Sequence, residues 1–330
     1  MARQGTLWRN IERIRASQVF LQGTMSLMNA PIDRRKFLLS SALIGTGVSL
    51  AGADQTPAGK GIPATSMPRF FSGCCAYSYR KYLQPGPMTM EEFIEKAVDL
   101  RLDGVDMTGY YLKSTDTPYL ASLRRLAYRR GVAFSGAACG VSMVNADAAK
   151  RAQAGTDIRK WVDIADALGA PHLRIFAGKL PSGATLQQSI GWVVEAMKAG
   201  CDYSGPKGIT LGVEDHAGVT QQADVCIEIM HRVDSPYAGI NLDITHFVPT
   251  TTQDAYAQIE ACIPYATNTH IRDRFDDGSA IDLDRVWGLF ARAGFKGFMS
   301  AEYEGEEDAA TAVPKLVEKI RALCKKYSTV

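Results

Sequence analysis

The chain has 330 residues, 22% of them charged, with 37 basic and 35 acidic side chains giving a net charge of +2. That balance argues against a polyanion-binding surface, and so against nucleic acid as a partner. Seven cysteines, at 74, 75, 139, 201, 226, 262 and 324, show no CxxC pairing, and five sit in apolar patterns, as expected of buried free thiols.

From the N-terminus, the first distinctive segment is DRRKFLLSSALIGTGVSLAGA at 33–53. Arg34 and Arg35 precede a short apolar, small-residue run that ends in Ala51-Gly52-Ala53. This reads as a twin-arginine export signal with an A-x-A-like cleavage site, preceded by a leader. The run is too short and too rich in glycine for a membrane span of ~20 residues, and a buried apolar helix with a chance arginine pair is the competing reading. Export implies a periplasmic protein and transient contact with the twin-arginine machinery. An uncleaved signal would anchor it to the membrane. Residues 54–68 (DQTPAGKGIPATSMP) read as a linker.

From 69 to 330 short apolar runs alternate with helical patterns. Strands are expected at 71–79, 104–111, 132–139, 172–178, 209–215, 238–244, 266–272 and 297–303. Helical patterns lie between them. TMEEFIEKAVDLRL opens on an N-cap threonine with early acids, and DTPYLASLRRLAYRRG stops at Gly131. The third begins at DIRKWVDIADALGA (157–170), and the remaining five start near 185, 222, 255, 282 and 309. Strict βα alternation implies a parallel sheet, and eight units closing on themselves give a single-domain (β/α)8 TIM barrel. An open doubly wound sheet is the alternative.

Four of the strand patterns end in a residue able to bind a metal: Glu214, Asp243, His270 and Glu302. The gaps are 29, 27 and 32 residues, one strand plus one helix each. In a closed barrel, such strand ends converge. Any one acid could simply cap the next helix. Three converging carboxylates differ, because two like charges ~4 Å apart repel by ~4 kcal/mol at an effective dielectric of ~20. They would repel or take up protons unless a cation sat between them. Three oxygen ligands and one imidazole favour one hard-to-borderline divalent ion. Mn2+ is the first expectation, with Mg2+, Co2+ and Zn2+ as alternatives.

The segments carrying these residues resemble the metal motifs of the xylose-isomerase-like TIM barrels, the sugar phosphate isomerase/epimerase family. Glu214-Asp215-His216 resembles an E-N-H segment, Asp243 with His246 a D-x-x-H, His270-Ile271-Arg272-Asp273 an H-x-K-D, and Glu302-Tyr303 an E-Y segment. The likeness covers about 70–325, in the family's order Glu, Asp, His, Glu. It implies a small-molecule carbohydrate substrate held through a carbonyl and its neighbouring hydroxyl, with Glu214 and Glu302 relaying protons. His246 is implied to be a substrate-side catalytic residue. His216, two residues after Glu214, shares its face and reads equally as a base or as a residue orienting a ligand. Arg272 reads as a substrate-oxygen contact or as an ion-pair partner of a ligand carboxylate. Tyr77, Tyr79, Asp106, Tyr110 and Arg174 on earlier strands read equally as pocket-lining or as core or rim residues, and His172 and His231 read as structural.

Two positions depart from the ketose 3-epimerases of that family. Thr220 stands where they carry a second glutamate, and Asp276 where they carry an arginine. Three functions follow: a metal-dependent sugar or polyol isomerase or epimerase, a lyase or dehydratase on a keto-sugar, keto-inositol or oxidised glycoside, or a non-catalytic sugar-binding protein. A homo-oligomer stays open.

Overall fold

All eight expected strands form: β1 (Arg69–Cys75), β2 (Gly104–Thr108), β3 (Ala133–Ser142), β4 (His172–Phe176), β5 (Thr210–Glu214), β6 (Ala238–Asp243), β7 (Ala266–Ile271) and β8 (Lys296–Ala301). The structure is a computed structural model that describes residues 67–84, 86–251 and 253–328. The signal segment at 33–53, and the linker as far as 66, lie outside the described residues. Each strand pairs in parallel with the next, and β8 pairs with β1, so the sheet closes into a barrel rather than an open wound sheet.

Helices α1 (Met90–Asp99), α2 (Thr117–Arg130), α3 (Ala148–Leu168), α4 (Leu186–Ser204), α5 (Ala223–Val233), α6 (Ala255–Cys262), α7 (Leu283–Arg292) and α8 (Ala309–Tyr327) follow the strands in turn. Local chemistry sets their ends. Thr89 and Glu92 form a reciprocal capping box before α1, and Thr185 and Gln188 form another before α4. Gly131 and Gly169 close α2 and α3 in the left-handed conformation that glycine adopts without steric cost.

Several boundaries differ from the sequence reading; β3 runs on to Ser142 and β4 stops at Phe176. Helix α3 starts nine residues earlier than 157, because Asp147 accepts from Ala149 N and the alanine-rich stretch after it propagates the helix. The first two strands end sooner than expected. Ala76–Tyr79 and Gly109–Tyr111 are 3-10 turns, so Tyr77, Tyr79 and Tyr110 sit beyond the strands. Tyr79 takes the core alternative, buried against Tyr82 and Phe93.

Apolar side chains on the outer face of the strands pack under the helices, where Trp287 and Phe290 of α7 and Phe295 just before β8 are among the largest fully buried side chains. The inside of the barrel is different. His172 fills its middle, where glycines on neighbouring strands make room. Its Nε2 bonds Thr267 Oγ1 at 3.1 Å, and burial drives its pKa down to about 4, leaving a neutral structural histidine. Above it, strand residues two apart face inward and place Glu214 over Gly212, Asp243 over Asn241 and His270 over Asn268. Cross-strand register pairs Glu214 with Asn241 and Asp243 with His270. His231 lies on α5 and meets Tyr265 OH at 2.6 Å, away from this interior.

A Cβ on Gly212 would lie 2.2 Å from His172 Nε2 and 3.2 Å from Asn241 N. Gly212→Ala should therefore cost about 1–3 kcal/mol of stability. Adding His172→Ala should give a combined loss smaller than the sum of the two single losses, because the clash is shared. Denaturant unfolding of the three variants measures this, and strict additivity would contradict it.

Candidate metal centre

The four strand-end residues meet at the C-terminal mouth of the barrel. Glu214 and Asp243 end β5 and β6, His270 is the penultimate residue of β7, and Glu302 follows β8 directly. One potential ligand atom from each lies within 4.8 Å of all the others, and all four side chains are buried.

Separate local bonds hold each in place. Thr220 Oγ1 donates to the Glu214 carbonyl at 2.8 Å, and Asn241 Nδ2 donates to Glu214 Oε1 at 3.1 Å. Asp243 N donates to Asp215 Oδ1 at 2.7 Å, while Thr245 N donates to Asp243 Oδ1 at 2.9 Å. Glu302 N donates to Ile271 O at 2.9 Å. Ser78, in the turn after β1, accepts from Tyr303 N at 2.9 Å and donates to Ala301 O at 3.0 Å, clamping both sides of Glu302.

His270 Nδ1 lies 2.9 Å from Glu214 Oε1 and 3.3 Å from Glu302 Oε1, so the imidazole stands between the two glutamates. Arg272 reaches in from the rim. Its Nη2 is 2.9 Å from Asp243 Oδ2 and 3.4 Å from Glu302 Oε2. It thus pairs with candidate ligand carboxylates, one of its two expected roles, and it also lines the cavity.

The protonation of the group tests whether it suits a cation. Burial alone would raise Glu214, but Arg174, with Nε 3.8 Å away, and His270 hold it down to about 2. Burial is likewise outweighed at Asp243, where Arg272 and His246 keep the carboxyl well below its usual range. Glu302 goes the other way. Burial raises it to about 7, because the pull of His270 is countered by the charges of Glu214 and Asp243. Burial opposes a charged His270, yet Glu302 and its other neighbours hold that proton well above the usual histidine range. Without an ion, the cluster recruits protons to offset its negative charge. Three carboxylates and an imidazole that share protons are a donor set for one hard or borderline divalent cation.

Cys75, Asp106 and His270 form a second close group. Burial pushes the Cys75 thiol up to about 11, so it enters that group as a neutral thiol.

A cavity of about 340 Å³ opens above Glu214 and Glu302. One half of its wall is Tyr77, Tyr110, Phe176 and His216, with Arg174 behind Phe176 at 4.0 Å from the ring centroid. The other half is His246, Arg272, Asp276 and Glu304. Tyr77, Tyr110, Arg174, His216, His246 and Arg272 therefore reach the cavity as the sequence suggested. Asp106 does not reach it: the side chain is wholly buried beneath His270, with Nε2 3.7 Å from Asp106 Oδ2.

The sequence reading missed Asn241 and Asn268, which link the ligands from below, although their inward phase two residues before Asp243 and His270 was visible. It also assigned no cavity role to Phe176 or Glu304. Asp276 and Thr220, noted as departures, have structural tasks. Asp276 Oδ2 is 2.9 Å from His246 Nδ1, and Thr220 ties the loop after β5 back to Glu214.

A family model described as "Xylose isomerase-like TIM barrel" matches residues 94–325. A search of curated proteins finds no sequence match. Solved structures align over most of the chain. The IOLI protein with a bound zinc atom aligns with TM-score 0.66 and 15% identity, over 79% of this chain and 100% of that one. The 3-keto-D-glucoside 4-epimerase from E. coli aligns with TM-score 0.63 and 13% identity, over 77% and 99%. A probable 3-DHS dehydratase from Bacillus anthracis aligns with TM-score 0.60 and 14% identity, over 78% and 99%. At these identities the likeness is one of fold.

Two predictions follow from the electrostatics. A divalent cation entering the cluster must displace protons held by His270 and Glu302, so affinity should rise between about pH 6 and about pH 8 with net proton release. Calorimetry in buffers of different ionisation enthalpy measures this, and a pH-independent affinity with no proton release would contradict it. The second concerns Asp215, fully buried, whose carboxyl is raised well above 3.8 by burial and by Asp243. The unfolded chain ionises it first, so it subtracts stability progressively as pH rises above 3.8 toward the folded value. Asp215→Asn keeps an acceptor for Asp243 N and removes that penalty. Its melting temperature should exceed wild type by a few degrees near neutral pH, at roughly 2–4 °C per kcal/mol, and match it near about pH 4.

Proposed function

The chain belongs to the xylose isomerase-like TIM barrel family, and from that premise we propose that it is a divalent-metal-dependent isomerase or epimerase of small carbohydrates. The observation that carries the proposal is the placement of Glu214 and Glu302 on either side of His270, at the floor of a cavity of about 340 Å³. That volume suits a small ligand. A bound divalent ion, Mn2+ by our reading, would supply Lewis-acid stabilisation of a substrate carbonyl and its neighbouring hydroxyl. Glu214, Asp243, His270 and Glu302 would hold it.

The chain's own groups perform the proton work. One glutamate takes the proton from the carbon beside the carbonyl, and the C–H electron pair moves toward the carbonyl oxygen to give an enediolate. Return of a proton to the same carbon from the opposite side inverts it, giving an epimer. Return to the neighbouring carbon exchanges aldose and ketose. Glu214 and Glu302 stand on either side of the His270 imidazole, so a substrate above them has a carboxylate on each side. Tyr77, Tyr110 and Phe176 offer flat faces to the C–H surface of a sugar, and His246, Arg272 and Asp276 offer hydrogen bonds to its hydroxyls. The fold is shared with a protein named as a 3-keto-D-glucoside 4-epimerase, which supports a keto-sugar substrate.

One observation favours a second reading, elimination. Burial opposes charge on His246, but Asp243 and its bond to Asp276 raise it to about 9, while Arg272 Nη2, a donor, lies 2.9 Å from its Nε2. A protonated imidazole there can protonate a group leaving from the β carbon, which would make the enzyme a lyase or dehydratase. The probable dehydratase that shares the fold supports this reading. The segment at 33–53 supports export as the setting for either activity, and we propose a periplasmic location. Fractionation of cells expressing the wild-type chain and an Arg34→Lys/Arg35→Lys variant tests it, since equal periplasmic recovery of both would contradict it.

The catalytic test is solvent exchange. Manganese-loaded protein incubated in D2O with ketohexoses and with oxidised glycosides should place deuterium beside the carbonyl. Glu302→Gln should lower the rate by about 10²–10⁴-fold. Exchange with isomer formation supports the first reading, and elimination without isomer exchange the second. Binding with no exchange on any of them would leave a sugar-binding protein and overturn both.

A further inference from the structure

Beneath the four candidate ligands, buried polar side chains form a chain with a fixed direction. Asn268 Nδ2 donates to Asp106 Oδ2 at 2.9 Å and to Asn241 Oδ1 at 3.1 Å. Asn241 Nδ2 donates to Glu214 Oε1 at 3.1 Å and lies 3.3 Å from His270 Nδ1. A carboxylate stands at each end of this chain, and carboxylates only accept. Both amides must therefore turn their NH2 groups toward them. Flipping either would set a carbonyl oxygen against a carboxylate oxygen in a site closed to water, since Asp106 and Asn241 have no exposure and Asn268 has 2%.

His270 is held against both ends of the chain. Its Nδ1 faces the Asn241 NH2, which can only donate, and the oxygens of Glu214 and Glu302. Its Nε2 faces Asp106 Oδ2 at 3.7 Å, longer than a hydrogen bond, and has no hydrogen-bond partner among the described residues. A hydrogen on Nε2 thus points at an acceptor, whereas one on Nδ1 shares its space with an amide donor.

We propose that Asp106, oriented by Asn268, is a positioning residue that keeps His270 in the Nε2–H form and so presents the Nδ1 lone pair to the convergence point of Glu214, Asp243 and Glu302. This inference rests on the metal reading above. It gives Asp106 a task outside the cavity wall, and it makes Asn268 and Asn241 the parts that set the polarity of the network.

The test uses the full-length protein, 15N-labelled at histidine and loaded with Zn2+, which is diamagnetic. Long-range 1H–15N spectra, with His270 assigned by comparison with His270→Asn, should show Nδ1 coordinated and Nε2 protonated. Coordination through Nε2 would overturn the inference. Asp106→Ala should weaken Zn2+ and Mn2+ binding by about 10–100-fold. Asp106→Asn, which keeps an oxygen toward Asn268 and His270, should lose clearly less. Wild-type affinity in Asp106→Ala overturns the role of Asp106 alone. Folded wild-type protein that takes up neither ion overturns the metal reading, and this inference with it. Should Asp106→Ala fail to fold, the wild-type spectrum still decides.

Discussion

Everything at the mouth of this barrel follows from one constraint: three buried carboxylates must share a space a few ångströms across. Glu214, Asp243 and Glu302 each present an oxygen within 4.8 Å of the others. At that spacing mutual repulsion reaches several kcal/mol per pair even at an effective dielectric of ~20. The protein compensates with Arg272, Arg174 and the His270 imidazole, and with a proton at Glu302. Each compensating group can yield to a cation in a different way. The arginines keep their charge and can shift, whereas His270 and Glu302 give up protons. The cluster is thus poised for exchange between protons and a metal.

That poise depends on the barrel interior below it. Gly212 leaves space for the His172 ring, which stays neutral and fills the middle of the barrel. On this platform stands the layer of Asp106, Asn241 and Asn268, whose donors and acceptors match along one direction. A polar layer in a closed interior is stable only if its members are satisfied, and once satisfied it resists rearrangement. Asp215 is the exception. It holds Asp243 N through one oxygen while its other oxygen has no partner, and burial together with the Asp243 charge raises its pKa well above the usual carboxylate range. The family's E-N-H segment has an amide at this position, which would make the same bond without a buried acid.

Above the carboxylates the cavity is divided. The side formed by the ends of β1, β2, β4 and β5 is aromatic, and the side formed by β6, β7 and β8 carries ion pairs. Arg272 binds Asp243, Glu302 and Glu304, so its charge is already spent within the wall. A polyhydroxylated, uncharged molecule with one apolar face matches that division better than a phosphate would. His246 stands on the charged side between Asp276, 2.9 Å from its Nδ1, and Arg272, 2.9 Å from its Nε2.

Much of this was legible in the residues. The eight βα units, the order Glu, Asp, His, Glu and the spacing of about one unit between them are one-dimensional patterns, and a closed barrel turns strand ends into neighbours. Helix starts and stops were readable where a cap or glycine marked them, and α3 began early because its aspartate cap lay upstream of the recognised pattern. What the linear pattern could not carry was everything decided by which strand faces which across the barrel. Asp106 looked like a pocket residue because it is a polar group near a strand end, yet the register places it under His270 and out of the cavity. Asn241 and Asn268 looked like ordinary strand polars, and only closure of the sheet joins them into a directed hydrogen-bond chain. The sequence by itself determined the barrel and the four residues at its rim, because periodicity and spacing are local properties. Only the tertiary structure decided their protonation, their partners and the shape of the cavity, because burial and cross-barrel distance arise when strands far apart in the chain are brought together.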